Sequence, residues 1–177
     1  MAGPVVIREI TPADYAAVSL ITVESYRPYI RPDDDYFAIL ADTEHRASAA
    51  TIVLAERDGK VLGSLTMVEH GTPYADIARP GELEFRMIAV SANARRLGVG
   101  TALVNYGIAE ARKRGLQRVV LSTMDVMVEA RRMYERLGFS EDPARRWHRV
   151  ISVLTLPLKS QQDGADDSGQ VAEARDF

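Results

Sequence analysis

Residues 82–100, with the sequence ELEFRMIAVSANARRLGVG, constrain the fold of this chain more than any other stretch. The first half, residues 83–90, is apolar and bulky enough to form a buried strand. The second half is a basic turn with two glycines, and a helical pattern follows from Thr101. The sequence therefore predicts a strand that ends in a loop, and a loop that leads directly into a helix.

The loop has the features of a phosphate-binding site. Gly98 and Gly100 have no Cβ, so the backbone can turn tightly and approach a ligand. The first N–H groups of the following helix have no helical partner and attract anions. Arg95 and Arg96 precede this helix and add two guanidinium groups, which suit phosphate oxygens. We therefore expect a group with several phosphate charges here.

Two common phosphate-binding motifs are excluded by their residues. A P-loop requires a lysine followed by serine or threonine after its second glycine, and the loop has no lysine. A dinucleotide-binding motif requires a third glycine where this chain has Leu103.

The pattern Arg95-x-x-Gly98-x-Gly100 resembles the Arg/Gln-x-x-Gly-x-Gly/Ala signature of the GNAT superfamily of N-acetyltransferases. A second block, Ala130-x-x-x-Tyr134-x-x-x-Gly138-Phe139, lies at the spacing that the family shows. Together with the order of elements, the resemblance covers about residues 5–158. It implies an α/β fold of the GNAT acyl-CoA N-acyltransferase type, with a central mixed β-sheet flanked by helices. It also implies transfer of acetyl from acetyl-CoA to a primary amine, without a metal.

The resemblance also implies which residues bind acetyl-CoA. The end of the buried strand would lie beside the pantetheine arm, and the glycine loop would hold the pyrophosphate. The residues concerned are Ile88, Ala89 and Val90 in the strand, and Arg95, Arg96, Leu97, Gly98, Val99, Gly100 and Thr101 in the loop.

Glu84 is the candidate general base. An alkyl amine has a pKa near ~10, so a base must take its proton at neutral pH. Glu84 lies in the predicted strand where many GNAT enzymes carry a glutamate that acts through water. Strand alternation puts Glu82, Glu84 and Arg86 on one face, so an ion pair is the alternative role. Glu82 is the second candidate for the base.

Tyr134 is the candidate general acid. Its phenol stays protonated at neutral pH and can donate a proton to the departing thiolate. Ala130 and Leu137 share its predicted helix face, so a core position is the alternative. The chain has no cysteine, which excludes an acetyl-thiol intermediate and favours direct attack in a ternary complex.

One residue departs from the family pattern. The family often has an asparagine three residues before the conserved alanine, and this chain has Met127. A thioether cannot replace the hydrogen bonds of an amide. The departure leaves open an alternative function, a CoA-binding regulatory or interaction module without turnover.

Charge is unevenly distributed along the chain. Residues 1–90 carry eight basic and fourteen acidic side chains, a net charge of −6, whereas residues 91–158 carry twelve and six, a net charge of +6. The basic half suits a phosphorylated cofactor, and the acidic half suits a cationic amine, so the acceptor is expected to be a small amine or an amino-acid-like molecule. A nucleic-acid-binding domain is a further alternative, but no known nucleic-acid motif accompanies the basic half.

Residues 1–158 are expected to form one domain, and residues 159–177 an acidic, polar tail without catalytic function. The absence of cysteine, of an export signal and of a long apolar run predicts a cytoplasmic protein that does not contact membranes. The last strand offers an edge through which two copies could form a homodimer.

The resemblance implies that the helix pair before the central strand borders the acceptor pocket. Asp33, Asp34 and Asp35 at the start of the second helix complement the helix dipole, and recognition of a positive substrate is their alternative role. The sequence predicts a helix to about Ser25, a loop at residues 26–32 with two exposed tyrosines, and a second helix from Asp33 to about Ala47. A hairpin with an Asp58-Gly59 turn follows, and then a polar loop at residues 70–81.

Overall fold

A computed structural model describes residues 1–147 and 149–159. The strands in this part of the chain are β1 (Val6–Glu9), β2 (Thr51–Arg57), β3 (Lys60–Glu69), β4 (Glu82–Val90), β5 (Arg118–Met124), β6 (Ser140–Glu141) and β7 (Ile151–Pro157). The α-helices are α1 (Tyr15–Tyr26), α2 (Tyr36–Ala41), α3 (Thr43–Ala49), α4 (Val99–Lys113) and α5 (Val128–Arg136). Short 3-10 helices lie at Pro12–Asp14, Ala92–Ala94 and Pro143–Arg145. The tail was predicted at residues 159–177, and all of it beyond residue 159 lies outside the described residues.

The strands form one mixed sheet in the order β1-β2-β3-β4-β5-β7-β6. Strands β4 and β5 are parallel, because α4 connects them, and the other neighbouring strands are antiparallel. The predicted mixed sheet flanked by helices is confirmed.

The two central strands separate part-way along their length. β4 and β5 pair from Glu82 opposite Arg118 to Phe85 opposite Leu121. Beyond Phe85, β4 contains a bulge in which Met87 and Ile88 together face Leu65 of β3. Met87 has a φ of 49°, in the left-handed region that non-glycine residues rarely adopt. The separation leaves a gap between the carboxyl ends of the two strands.

Helix α4 packs closely on one face of the sheet. Its buried Leu103, Val104 and Ile108 belong to the largest apolar cluster, together with Phe85 of β4. A Cβ at Gly107 would lie 2.4 Å from Phe85 Cζ, so only glycine fits at this contact. The close packing fixes the position of the helix start, which carries the glycine loop.

The segment between α1 and β2 differs from the prediction. The predicted second helix is interrupted at Asp42, whose φ of −85° and ψ of 69° lie outside the helical region. Asp42 instead caps α3 and accepts a hydrogen bond from the His45 N–H at 3.1 Å. Tyr26, predicted to be exposed in a loop, is half-buried at the end of α1, whereas Tyr29 is exposed.

The hairpin turn agrees with the sequence pattern. Asp58 and Gly59 have φ values of 51° and 75°, as a two-residue turn with both residues left-handed requires. Among the described residues, no helix combines the length and the apolar character that crossing a membrane needs.

Candidate active site

The glycine loop and the start of α4 form one wall of a cavity of about 570 Å³, here called the cradle cavity. Gly98 has a φ of 75° and precedes the helix, whose first backbone bond runs from the Ala102 N–H to the Gly98 carbonyl at 2.9 Å. The N–H groups before Ala102 therefore have no helical partner and are available to an anion.

Most of the residues predicted to bind acetyl-CoA line the cradle cavity. These are Ile88, Val90, Arg95, Arg96, Gly98, Val99, Gly100 and Thr101. Ala89 is buried, and Leu97 is exposed; neither is among the described residues that line the cavity. Arg132 and Arg136 of α5 also line the cavity and were not predicted as site residues. Their spacing of four residues puts both guanidinium groups on one helix face, a signal that was present in the sequence.

A second cavity of about 310 Å³, here called the side cavity, adjoins the cradle cavity. It lies where β4 and β5 separate, and loop residues Trp147 and Asp76 form part of its wall. The residues common to both cavities are Tyr26, Ile88, Ser122, Thr123, Met127 and Tyr134. A ligand in one cavity can therefore meet a ligand in the other between the two strand ends.

Tyr134 lies at this junction. Its side chain is 6% exposed, and its ring packs against Phe139 with a centroid distance of 5.9 Å. Burial raises the pKa of the phenol above its usual range, so the hydroxyl stays protonated at neutral pH. The position combines a proton donor with access to both cavities.

Glu84 is buried beneath the loop between β3 and β4. Its Oε2 accepts hydrogen bonds from the N–H groups of Asp76, Ile77 and Ala78, each at 3.0 Å. Its Oε1 lies 3.9 Å from Arg86 Nε. Burial raises the pKa of Glu84, although these hydrogen bonds act in the opposite direction. Glu84 is 1% exposed and is not among the described residues that line either cavity.

Glu82 holds the same loop from the other end. It binds Arg145 through both oxygens, at 2.8 and 2.9 Å, and accepts a hydrogen bond from the Arg79 N–H at 2.9 Å. Burial disfavours its charge, but the bonds from Arg145 and Arg79 outweigh burial and lower the pKa of Glu82. Arg145 also donates to the Ile77 carbonyl at 2.7 Å. Buried carboxylates therefore help to fix this loop, in addition to the apolar contacts of its Tyr74.

Three charged residues line the side cavity. For Asp34, recognition of a positive substrate was one of two predicted roles, whereas Asp76 and Arg86 were not assigned to the acceptor site. Asp76 Oδ2 lies 2.8 Å from Arg86 Nη2. Arg86 also donates to the Tyr74 carbonyl at 2.6 Å, and Asp34 accepts from the Tyr36 N–H at 2.9 Å. The two aspartates lie on loops, where no periodic pattern indicates the direction of a side chain.

Met127 replaces the family's asparagine at a position that both cavities share. The Thr123 hydroxyl lies 3.9 Å from the Met127 sulfur. The site has a thioether here in place of an amide. Among residues 1–147 and 149–159, no group of three or more His, Asp or Glu side chains could hold a metal ion.

The family model described as "Acetyltransferase (GNAT) family" matches residues 15–139 of this sequence. The chain belongs to the GNAT acetyltransferase family. The match extends from α1 to Phe139 and includes the glycine loop and Tyr134, so the resemblance inferred from the two motifs is confirmed.

Curated acetyltransferases match about half of the chain. A mycothiol acetyltransferase from Cellulomonas flavigena is 40% identical over 93 residues, which are 51% of this chain and 27% of that protein. A probable N-acetyltransferase camello from Xenopus tropicalis is 36% identical over 88 residues, 50% of this chain and 37% of that protein. The chain thus covers about a third of the length of these relatives.

Solved structures share the GNAT fold over most of the chain. The PaiA N-acetyltransferase of Thermoplasma acidophilum, in complex with coenzyme A, has a TM-score of 0.73 at 12% identity, covering 88% of this chain and 100% of that one. YncA from Salmonella typhimurium, with its cofactor acetyl-CoA, has a TM-score of 0.66 at 20% identity, covering 96% and 100%. At these identities the likeness shows the fold.

Proposed function

We propose that this GNAT protein transfers acetyl from acetyl-CoA to a primary amine by direct attack in a ternary complex. The observation that carries the proposal is the junction of the two cavities at Tyr134, where β4 and β5 separate. A thioester placed from the cradle cavity would meet an amine placed from the side cavity at that point.

The cradle cavity has the chemistry that acetyl-CoA needs. Arg95, Arg96, Arg132 and Arg136 line the same cavity as the start of α4, and together they offset several phosphate charges. Beyond Phe85, β4 has no pairing with β5, so its backbone on that side is available to the amides of pantetheine. Met127 provides an apolar contact in the same cavity.

In this proposal the amine nitrogen attacks the thioester carbon, and the C–S bond then breaks. Tyr134 donates its proton to the departing thiolate. Glu84 is the proposed base and would receive the amine proton through water that passes beside Arg86, because its own carboxylate does not line the side cavity. The raised pKa of Glu84 supports this role, since it makes the carboxylate more basic.

Release of coenzyme A from acetyl-CoA over a panel of primary amines tests the proposal. The Tyr134→Phe variant keeps the buried ring and removes the proton donor, so we expect kcat to fall about tenfold to a thousandfold while acetyl-CoA affinity is unchanged. Tyr106→Phe is the matched control, because Tyr106 lies partly exposed on α4 and is not among the residues of either cavity.

Equal kcat in Tyr134→Phe and the parent would remove Tyr134 from the chemical step. Tight acetyl-CoA binding without release by any amine would favour the alternative function, a CoA-binding module.

A further inference from the structure

The charged groups of the side cavity are unbalanced. Asp34, Asp76 and Arg86 are its charged residues within the described chain, so its net charge is −1. The remaining lining is largely aromatic and aliphatic, with Trp147 at the edge and Phe85 inside. Asp34 and Asp76 are both exposed, so solvent partly screens their charges, and the net charge gives the cavity a moderate preference for a cationic ligand.

The arginine of the side cavity already has its partners. Arg86 is 15% exposed, forms an ion pair with Asp76 at 2.8 Å and donates to the Tyr74 carbonyl at 2.6 Å. A ligand carboxylate would have to displace Asp76 from Arg86, and it would also meet the negative charge of Asp34. An ammonium group meets neither obstacle.

Resting on the proposed function, we propose that the side cavity selects a cationic amine on a compact apolar or aromatic body. Asp76 and Asp34 are its specificity-determining residues, and they discriminate against amines that carry a free carboxylate. This assignment narrows the acceptor class and separates it from amino acids.

The position of Asp76 is fixed before any ligand binds. Its backbone N–H bonds to Glu84 Oε2 at 3.0 Å, and Arg86 holds its Oδ2. Among the described residues, none donates a hydrogen bond to its Oδ1, which remains for the ligand. Because the backbone and one carboxylate oxygen of Asp76 are already held, the residue loses little conformational entropy when an ammonium group binds.

The size and lining of the side cavity determine which molecular body can accompany the ammonium group of the ligand. A volume of about 310 Å³ lies at the lower end of the range for small-molecule sites. The rings of Tyr26 and Tyr36 meet edge to face with centroids 6.3 Å apart, and both line the cavity. One aromatic ring with a short aminoalkyl arm fits this combination.

Binding can be measured without turnover, because Trp147 is the single tryptophan of the chain and lines the side cavity. Tryptophan fluorescence is titrated with phenethylamine, phenylalanine and phenylalanine methyl ester, which differ only at the carboxylate. We expect phenethylamine and the ester each to bind at least about tenfold more tightly than phenylalanine. Phenylalanine binding as tightly as phenethylamine would overturn the proposal.

The variant Asp76→Asn tests the specificity residue directly. It removes the charge and frees Arg86, so phenethylamine should bind about tenfold more weakly while phenylalanine binds more tightly. A purely structural role of Asp76 would weaken both ligands equally. Asp33→Asn is the matched control, because Asp33 is exposed, contacts Arg31 at 3.3 Å and is not among the residues of the side cavity.

The readouts separate this inference from the proposed function. Coenzyme A release with phenylalanine in preference to phenethylamine would overturn the inference and keep the transferase. Ester and phenethylamine binding as expected, without release from acetyl-CoA, would support the selectivity of the cavity and count against the transferase.

Discussion

At the scale of single residues, the surroundings of each carboxylate decide its role. Glu84 and Glu82 are buried and accept hydrogen bonds from backbone N–H groups of one loop, whereas Asp76 on that loop lines the side cavity. Strand alternation correctly placed Glu84 beside Arg86, but the sequence could not show that a loop 8 residues away folds back over Glu84. Asp76 was therefore not predicted as a site residue, whereas substrate recognition by Asp34 was one of the two roles predicted for the acids at the start of the second helix.

A comparison of Glu84→Gln with Glu82→Gln separates catalysis from loop support. Both changes remove a charge that holds the loop, so we expect each to lower the free energy of unfolding by about 1–3 kcal/mol. The proposed base role predicts that only Glu84→Gln also lowers kcat by about a hundredfold or more. Urea denaturation and steady-state kinetics measure the two effects. A similar kcat in both variants would leave Glu84 as a loop anchor alone.

At the scale of elements, the glycine loop was the most predictable part of the site. Its conformation depends on neighbouring residues: Gly98 provides the left-handed turn, and the helix that follows provides the free N–H groups. The separation of β4 from β5 was not predictable from residues 82–90, because it depends on the bulge at Met87 and on which strands pair. Local chemistry and the mixed sheet could be predicted from the sequence, whereas the point at which β4 separates from β5 could not.

The left-handed conformation of Gly98 gives a prediction at this scale. A Cβ at Gly98 would meet nothing within 4 Å, so Gly98→Ala acts through backbone strain of about 1–2 kcal/mol. Relaxation of that strain turns the N–H groups of the loop away from the cradle cavity. We therefore expect the affinity for acetyl-CoA, measured by calorimetric titration, to fall about tenfold.

Gly71→Ala is the control for this change. Gly71 has a φ of 83°, a Cβ there would also meet nothing within 4 Å, and the residue lies outside the glycine loop. We expect the same loss of stability with unchanged acetyl-CoA affinity. Equal affinity in the two variants would show that the conformation of Gly98 does not matter for the cofactor.

At the scale of the whole molecule, the motifs were sufficient to predict the mixed sheet and the family, both of which are confirmed. The first strand and helix are joined by an ionic cluster in addition to apolar contacts, in which Val18 of α1 and Ile10 pack in one cluster. Arg8 of β1 binds both oxygens of Asp14, at 2.8 and 3.0 Å, and the Thr11 N–H donates to the same carboxylate at 2.7 Å. This cluster joins the edge of the sheet to the start of α1.

The cluster predicts how the stability of the whole protein depends on pH. The Arg8 guanidinium is the main cause that lowers the pKa of Asp14, although burial opposes it. A lowered pKa means that the unfolded state takes up the proton first. Asp14 therefore stabilises the fold above its ordinary pKa of about 4, and this contribution is lost as the pH falls further. Glu82, with its lowered pKa, acts in the same direction, and Glu84, with its raised pKa, acts in the opposite direction.

Asp14→Asn should lower the free energy of unfolding by about 1–3 kcal/mol at pH 7 and by progressively less below pH 4. Urea denaturation of parent and variant over a pH series measures this difference. Asp33→Asn, at an exposed contact with Arg31, should follow the parent curve throughout. A constant difference between the Asp14→Asn and parent curves would mean that Asp14 supports the fold through its shape and hydrogen bonds. Convergence of the two curves in acid would show that the charge of Asp14, through its pairing with Arg8, contributes to holding α1 against the sheet.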